Sequence, residues 1–270
     1  MSVVYNIPAN QVAGYRESRI ILRIHNSVEL QQCLPAIDQQ NLAYVQWFIP
    51  SNSEDNEDNE VLQQIEAPLD LVLSNPGVDF PCLYDYAALA DERPLRVSIP
   101  VVPGFGKAVK LAVSLNCAVK LEVAQPDSAL MAELAEIMRF YLYQATVTQT
   151  IEFFHSLLGG FFRQEPITLW EIQEENPVYA RYVTEQEEEI ISSRFSGASP
   201  EFFEDRFQEE LIAGQAECCQ CDFLAQCQGY FKWPDRNYRC DGVKTIFQML
   251  RDAALELKND LVTHDAGLEP

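Results

Sequence analysis

Basic residues are scarce. The 270-residue chain sets 19 Lys and Arg against 41 Asp and Glu, a formal net charge of −22. A surface this negative repels phosphate backbones, so nucleic-acid tracking is excluded; the partner such a charge attracts is a basic protein or peptide. Long apolar runs are also missing: none approaches the roughly 20 residues that cross a bilayer, and no membrane association is expected. The opening residues MSVVYNIPANQVAGY carry no basic-then-apolar signal, which points to the cytoplasm. His25, His155 and His264 stand at no ligand spacing from one another. G-x-S-x-G and H-E-x-x-H signatures are absent. Gly104-Phe105-Gly106-Lys107 lacks the leading glycine spacing and the Ser or Thr of a phosphate loop.

What is present first is a rhythm. Apolar, β-branched runs begin at Arg19–His25, Ala43–Ile49, Leu69–Leu73, Leu95–Ile99 and Ala118–Val123, with a weaker sixth at Tyr143–Thr148. Helical patterns fill the gaps at Ser27–Gln40, Glu60–Glu66, Pro81–Arg93, Gly106–Leu115, Asp127–Tyr141 and Ile151–Phe162. Repeated β–α units with short connections require a parallel sheet with right-handed crossovers. The expected class is α/β, a partial (β/α)6 barrel over residues 1–162, with an open doubly wound sheet as the alternative. Ser51–Glu60 (SNSEDNEDNE) breaks the rhythm and reads as a polar loop.

Residues 163–270 read differently, as a second domain: an acidic helical linker followed by a small cysteine-rich C-terminal domain. Between Glu171 and Glu210 lie 12 acids and three arginines. Val183–Ser193 and Pro200–Gly214 are expected as acidic helices, the second with Phe203, Phe207 and Leu211 on one stripe.

Five of eight cysteines then fall within 23 residues. Counted from Cys218, the spacing through Cys221, Cys227 and Cys240 is C-x2-C-x5-C-x12-C. A C-x2-C step lets two thiolates from one turn face a common centre, and two more return from either end of the following loop. These four are the candidate metal ligands, with Cys219 a possible substitute for Cys218. Four thiolates suit Zn²⁺ or a 4Fe-4S cluster equally well by ligand count. Cys33, Cys82 and Cys117 stand singly and read as core thiols.

Cys218–Asp222, Cys227-Gln228-Gly229-Tyr230-Phe231-Lys232-Trp233-Pro234 and Tyr238–Lys244 resemble the auxiliary-cluster (SPASM-type) region of radical SAM peptide maturases. Ile151–Ser156 and Leu169–Pro177 resemble the segment that joins barrel to cluster region in that family, and residues 19–148 resemble its partial barrel more loosely. The departures are as informative. The family's C-x3-C-x2-C, which holds the cluster that cleaves S-adenosylmethionine, does not occur; after the first strand comes Asn26–Cys33 with one cysteine. One thiol cannot supply three ligands, so no S-adenosylmethionine cleavage is expected. Pro50-Ser51-Asn52 stands where the family has Gly-Gly-Glu, and Phe231 where it has a further cysteine.

The resemblance therefore implies a degenerate, pseudo-radical-SAM chain. It would be a non-catalytic accessory subunit carrying one auxiliary iron-sulfur cluster, similar to the partners of radical SAM maturases, cyanobacterial spliceases among them. Its expected partners are the catalytic maturase, in a heterodimer, and a precursor peptide. A zinc-stabilised interaction module and a redox enzyme using the same cluster are the competing readings.

Overall fold

The computed structural model describes residues 3–50, 57–195, 203–214 and 217–266. It runs β1 (Val4–Pro8), β2 (Arg19–Ile24), α1 (Ser27–Cys33), β3 (Leu42–Phe48), α2 (Glu57–Leu62), β4 (Leu69–Val72), α3 (Pro76–Asp79) and α4 (Ala87–Glu92). There follow β5 (Leu95–Pro100), α5 (Phe105–Ser114), β6 (Ala118–Glu122), α6 (Ser128–Tyr143), β7 (Ile151–Glu152) and α7 (Phe154–Arg163). The remainder holds α8 (Leu169–Ile172), β8 (Ala180–Val183), β9 (Glu189–Ile190), α9 (Phe203–Ala213), α10 (Leu224–Cys227) and α11 (Asp241–Ala266).

The strands form one nine-stranded sheet in the order β7-β6-β5-β4-β3-β2-β1-β8-β9, parallel throughout except between β8 and β9. From β1 to β7, chain neighbours are sheet neighbours. A doubly wound sheet reverses its strand order at a switch point, and none occurs here. Crossovers that step the same way from β1 to β7 are compatible with a partial barrel.

Strand alternation agrees. Ile20, Leu22, Val45, Trp47, Leu71, Val97 and Leu121 are buried in the apolar core on the helical side. The in-register residues on the other side are polar: Arg23↔Gln46, Gln46↔Asp70, Asp70↔Arg96 and Ser98↔Lys120. Helix starts follow local chemistry. Asn26 Oδ1 accepts from Glu29 N–H, Asp127 caps α6, and Thr168 and Glu171 close a reciprocal capping box on α8. Gly104 opens α5 in the left-handed region at φ 89°, and a Cβ there would lie 2.5 Å from the Gly77 Cα.

Three expectations fail. Tyr143–Thr148 is not a strand: α6 continues through Tyr143, and the seventh strand is Ile151–Glu152, where Ile151 extends the apolar face beside Val119. Val183–Ser193 is not a helix. Val183 ends a strand that pairs with β1, Arg23 donates to the Val183 carbonyl, and Thr184 Oγ1 accepts from the Gln186 and Glu188 N–H groups in the turn to β9. Tertiary pairing thus overrides an acid-rich sequence that favours helix. β1 itself carries no sequence-based expectation. Of the loop Ser51–Glu60, residues 51–56 lie outside the described set and Glu57–Glu60 begin α2.

Residues beyond 163 do not pack as a body apart. β8 extends the sheet, and α11 lies along α7 and α6. Phe247, fully buried, meets Phe153 and Phe161 from the barrel side and Phe223 from the cysteine segment. Phe247→Ala should therefore cost about 3–5 kcal/mol. Denaturant unfolding followed by tryptophan fluorescence and far-UV circular dichroism should move as one transition. Two separated transitions would contradict a shared core.

Candidate functional site

Two places concentrate chemistry: a cavity among the cysteines and the polar inner face of the sheet. Cys218, Cys221, Cys227 and Cys240 all line the first, together with Phe223, Leu224, Val243 and Phe247. Cys219 does not. It is exposed, with its Sγ 3.6 Å from the Ile212 carbonyl, because the short turn Glu217–Gln220 aims neighbouring side chains to opposite sides. The cavity holds a free volume of about 20 Å³.

The local fold explains the convergence. After α10, Gln228 and Gly229 are both left-handed, at φ 45° and 78°. That reversal directs the Gly229 and Phe231 N–H groups at the Cys227 sulfur. A Cβ at Gly229 would lie 2.4 Å from Leu211 Cδ1, so a side chain there would displace Leu211 as well as strain the backbone. On the far side Cys240 precedes α11, and its N–H donates to Glu217. Lys232 Nζ (2.6 Å) and Lys244 Nζ (3.0 Å) donate to the same carboxylate. Burial alone would raise the Glu217 carboxyl, but these donors outweigh it and hold it down to about 2.

Burial pushes the Cys227 thiol up to about 11 and raises Cys218 and Cys240, partly offset at both by Lys232. Thiolates in so dry a place need a cation, and a metal is the usual one. The donor chemistry thus fits a soft metal centre. The separations are less decisive: among the described residues no three His, Cys, Asp or Glu side chains stand in the geometry of a single ion's ligands. Cys33 and Cys117 are buried core thiols, bonded to the Leu30 and Leu115 carbonyls and raised by burial to about 11.

The inner face was not among the sequence candidates: its polar residues interrupt apolar strands singly, as Asp70 does in Leu-Asp-Leu-Val. Asp70, 1% exposed, accepts from Arg96 (2.8 Å), Ser98 (2.9 Å) and Gln46 (3.2 Å). Glu174, held left-handed at φ 59° after α8, reaches in from above. It accepts from Tyr44 (2.5 Å), Lys120 (2.6 Å) and Arg96 (2.7 Å). Burial would raise its carboxyl, but Lys120 and Arg96 outweigh that and hold it well below the usual range. The next residue, Glu175, turns the other way and accepts from Ser192, Arg194 and Tyr230. Adjacent carboxylates thereby fasten the linker to the sheet and to the cysteine segment.

The chain matches no protein-family model, no curated protein and no solved structure.

Glu174→Gln removes the carboxylate bonded to buried Lys120 and should cost about 3 kcal/mol at neutral pH. Because the folded carboxyl is depressed, its contribution is full above the unfolded value near 4.5 and lost as pH falls through the lower folded value. Denaturant midpoints of wild type and variant should therefore converge in acid. A gap that stays constant with pH would contradict the assignment.

Proposed function

We propose that the chain is a non-catalytic accessory subunit of a radical SAM peptide maturase. In this reading it binds the catalytic partner and its precursor peptide and carries one auxiliary 4Fe-4S cluster on Cys218, Cys221, Cys227 and Cys240. The supporting observation is that these four thiols, and not Cys219, line one apolar cavity. Among the described residues the inner face of the sheet carries no cysteine lining and its middle is occupied by ion pairs, which fits a scaffold without radical chemistry. Four thiols lining one cavity supply the ligand count of a 4Fe-4S cluster; among the described residues no three such side chains are placed to hold a metal ion, which favours neither zinc nor a cluster. Bound there, the cluster supplies electron transfer or structural closure. Lys232 and Lys244 then sit beside its negative charge, and the Gly229 and Phe231 N–H groups donate toward sulfur.

The free volume of about 20 Å³, near that of one water, favours a second reading, a zinc-stabilised interaction module. The cysteines separate the two. After anaerobic purification, Cys→Ser at 218, 221, 227 or 240 should each remove visible charge-transfer absorption and most iron, while Cys219→Ser and Cys33→Ser keep both. Co-expression with a maturase should yield a complex that these four variants weaken. Zinc in place of iron, or equal damage from Cys219→Ser, would overturn the cluster reading; a folded, loaded chain that captures no maturase would overturn the accessory role.

A further inference from the structure

The polar inner face continues into a cavity of about 370 Å³ at the carboxyl ends of the strands. Its floor has an apolar part, Ile21, Phe48, Val72 and Pro100, beside the polar Gln46 and Lys120; its roof comes from residues 173–194 and Tyr230. The carboxyl end of a parallel sheet is where α/β folds place ligands, and this volume suits a small one.

Charge accounting inside it identifies the chemistry. Four cations line it, Arg23, Lys120, Arg181 and Arg194, against three acids, Glu122, Glu174 and Glu175. A surplus of one positive charge is notable in a chain of net −22. Glu174 and Glu175 are spent, each on three donors. Arg23 is spent on Asn6 and the Val183 carbonyl.

Other groups are not spent. Among the described residues Arg194 Nη2 is buried with no hydrogen-bond partner. Among the same residues Arg181 reaches nothing nearer than the Ala180 carbonyl at 3.4 Å and Glu189 at 4.0 Å. Lys120 has three N–H groups and, among the described residues, one hydrogen-bonded partner, Glu174. Among the described residues no donor hydrogen-bonds the Glu122 side chain, although it lines the cavity, and burial raises its carboxyl. Polar groups buried without partners cost stability unless something satisfies them.

The geometry points to a binding site for a small organic carboxylate whose apolar body rests on the floor. Its anionic end meets the unspent N–H groups of Arg181, Arg194 and Lys120. A hydroxyl or ammonium on the neighbouring carbon donates to Glu122. No cysteine takes part, so the site stands independently of the metal reading.

Calorimetric titration of the full-length, anaerobically purified protein tests this with four probes of one carbon skeleton. L-Leucine and 2-hydroxyisocaproate offer anion and donor, isocaproate the anion alone, and isoamylamine the cation alone. At least one of the first two should bind about tenfold more tightly than isocaproate, and isoamylamine should not bind. Glu122→Leu, which removes the acceptor, should erase the donor advantage and leave isocaproate unchanged, while Arg181→Gln should weaken every carboxylate. Circular dichroism and metal content, unchanged in both variants, confirm folding. No heat with any carboxylate at about 10 mM, or a donor advantage that survives Glu122→Leu, would overturn the site.

Discussion

Charge taken out of water must meet its opposite, and the pair Glu174-Glu175 is where this chain satisfies that rule. One carboxylate descends onto Tyr44, Arg96 and Lys120; the other receives Tyr230, Arg194 and Ser192. Each stabilises its own neighbours, but the consequence is positional. The left-handed Glu174 backbone lets successive side chains face opposite partners, so the barrel-like sheet and the cysteine segment share one anchor. Tyr230, held by Glu175, lies one residue past Gly229, whose N–H faces Cys227. Position is thus transmitted from the sheet to the sulfur-lined cavity through a short run of bonded groups.

Much of the fold was legible because each strand is a short apolar run set at near-constant intervals. Arg19–His25 through Ala118–Val123 all contain strands, and the periodic order of units left few topologies. The choice between open arc and doubly wound sheet was not legible, since it depends on which side each crossover steps. Local composition misled at Val183–Ser193, where glutamates favour helix but the free edge of β1 recruits a strand. β1 is five residues with no preceding unit to mark it.

The site divides the same way. Spacing alone found four thiols that line one cavity, yet could not choose between Cys218 and Cys219, adjacent residues in Cys-Cys-Gln-Cys. A single turn of chain, Glu217–Gln220, makes that choice by geometry. The inner face went unnoticed for a different reason. Arg23, Gln46, Asp70, Arg96, Ser98 and Lys120 each interrupt an apolar strand once or twice, which looks incidental strand by strand. Only the register, laying them side by side, turns isolated interruptions into a continuous polar surface. A buried Asp within Leu-Asp-Leu-Val was the clearest available signal.

The centre assigned to the sulfur-lined cavity is the claim that most needs a direct look. X-ray absorption at the iron and zinc edges, on protein purified without oxygen, reads both the metal and its neighbours. The account predicts iron with a first shell made wholly of sulfur and a short iron–iron distance. Zinc at the site, a shell of nitrogen and oxygen, or no bound metal in a folded chain would contradict it.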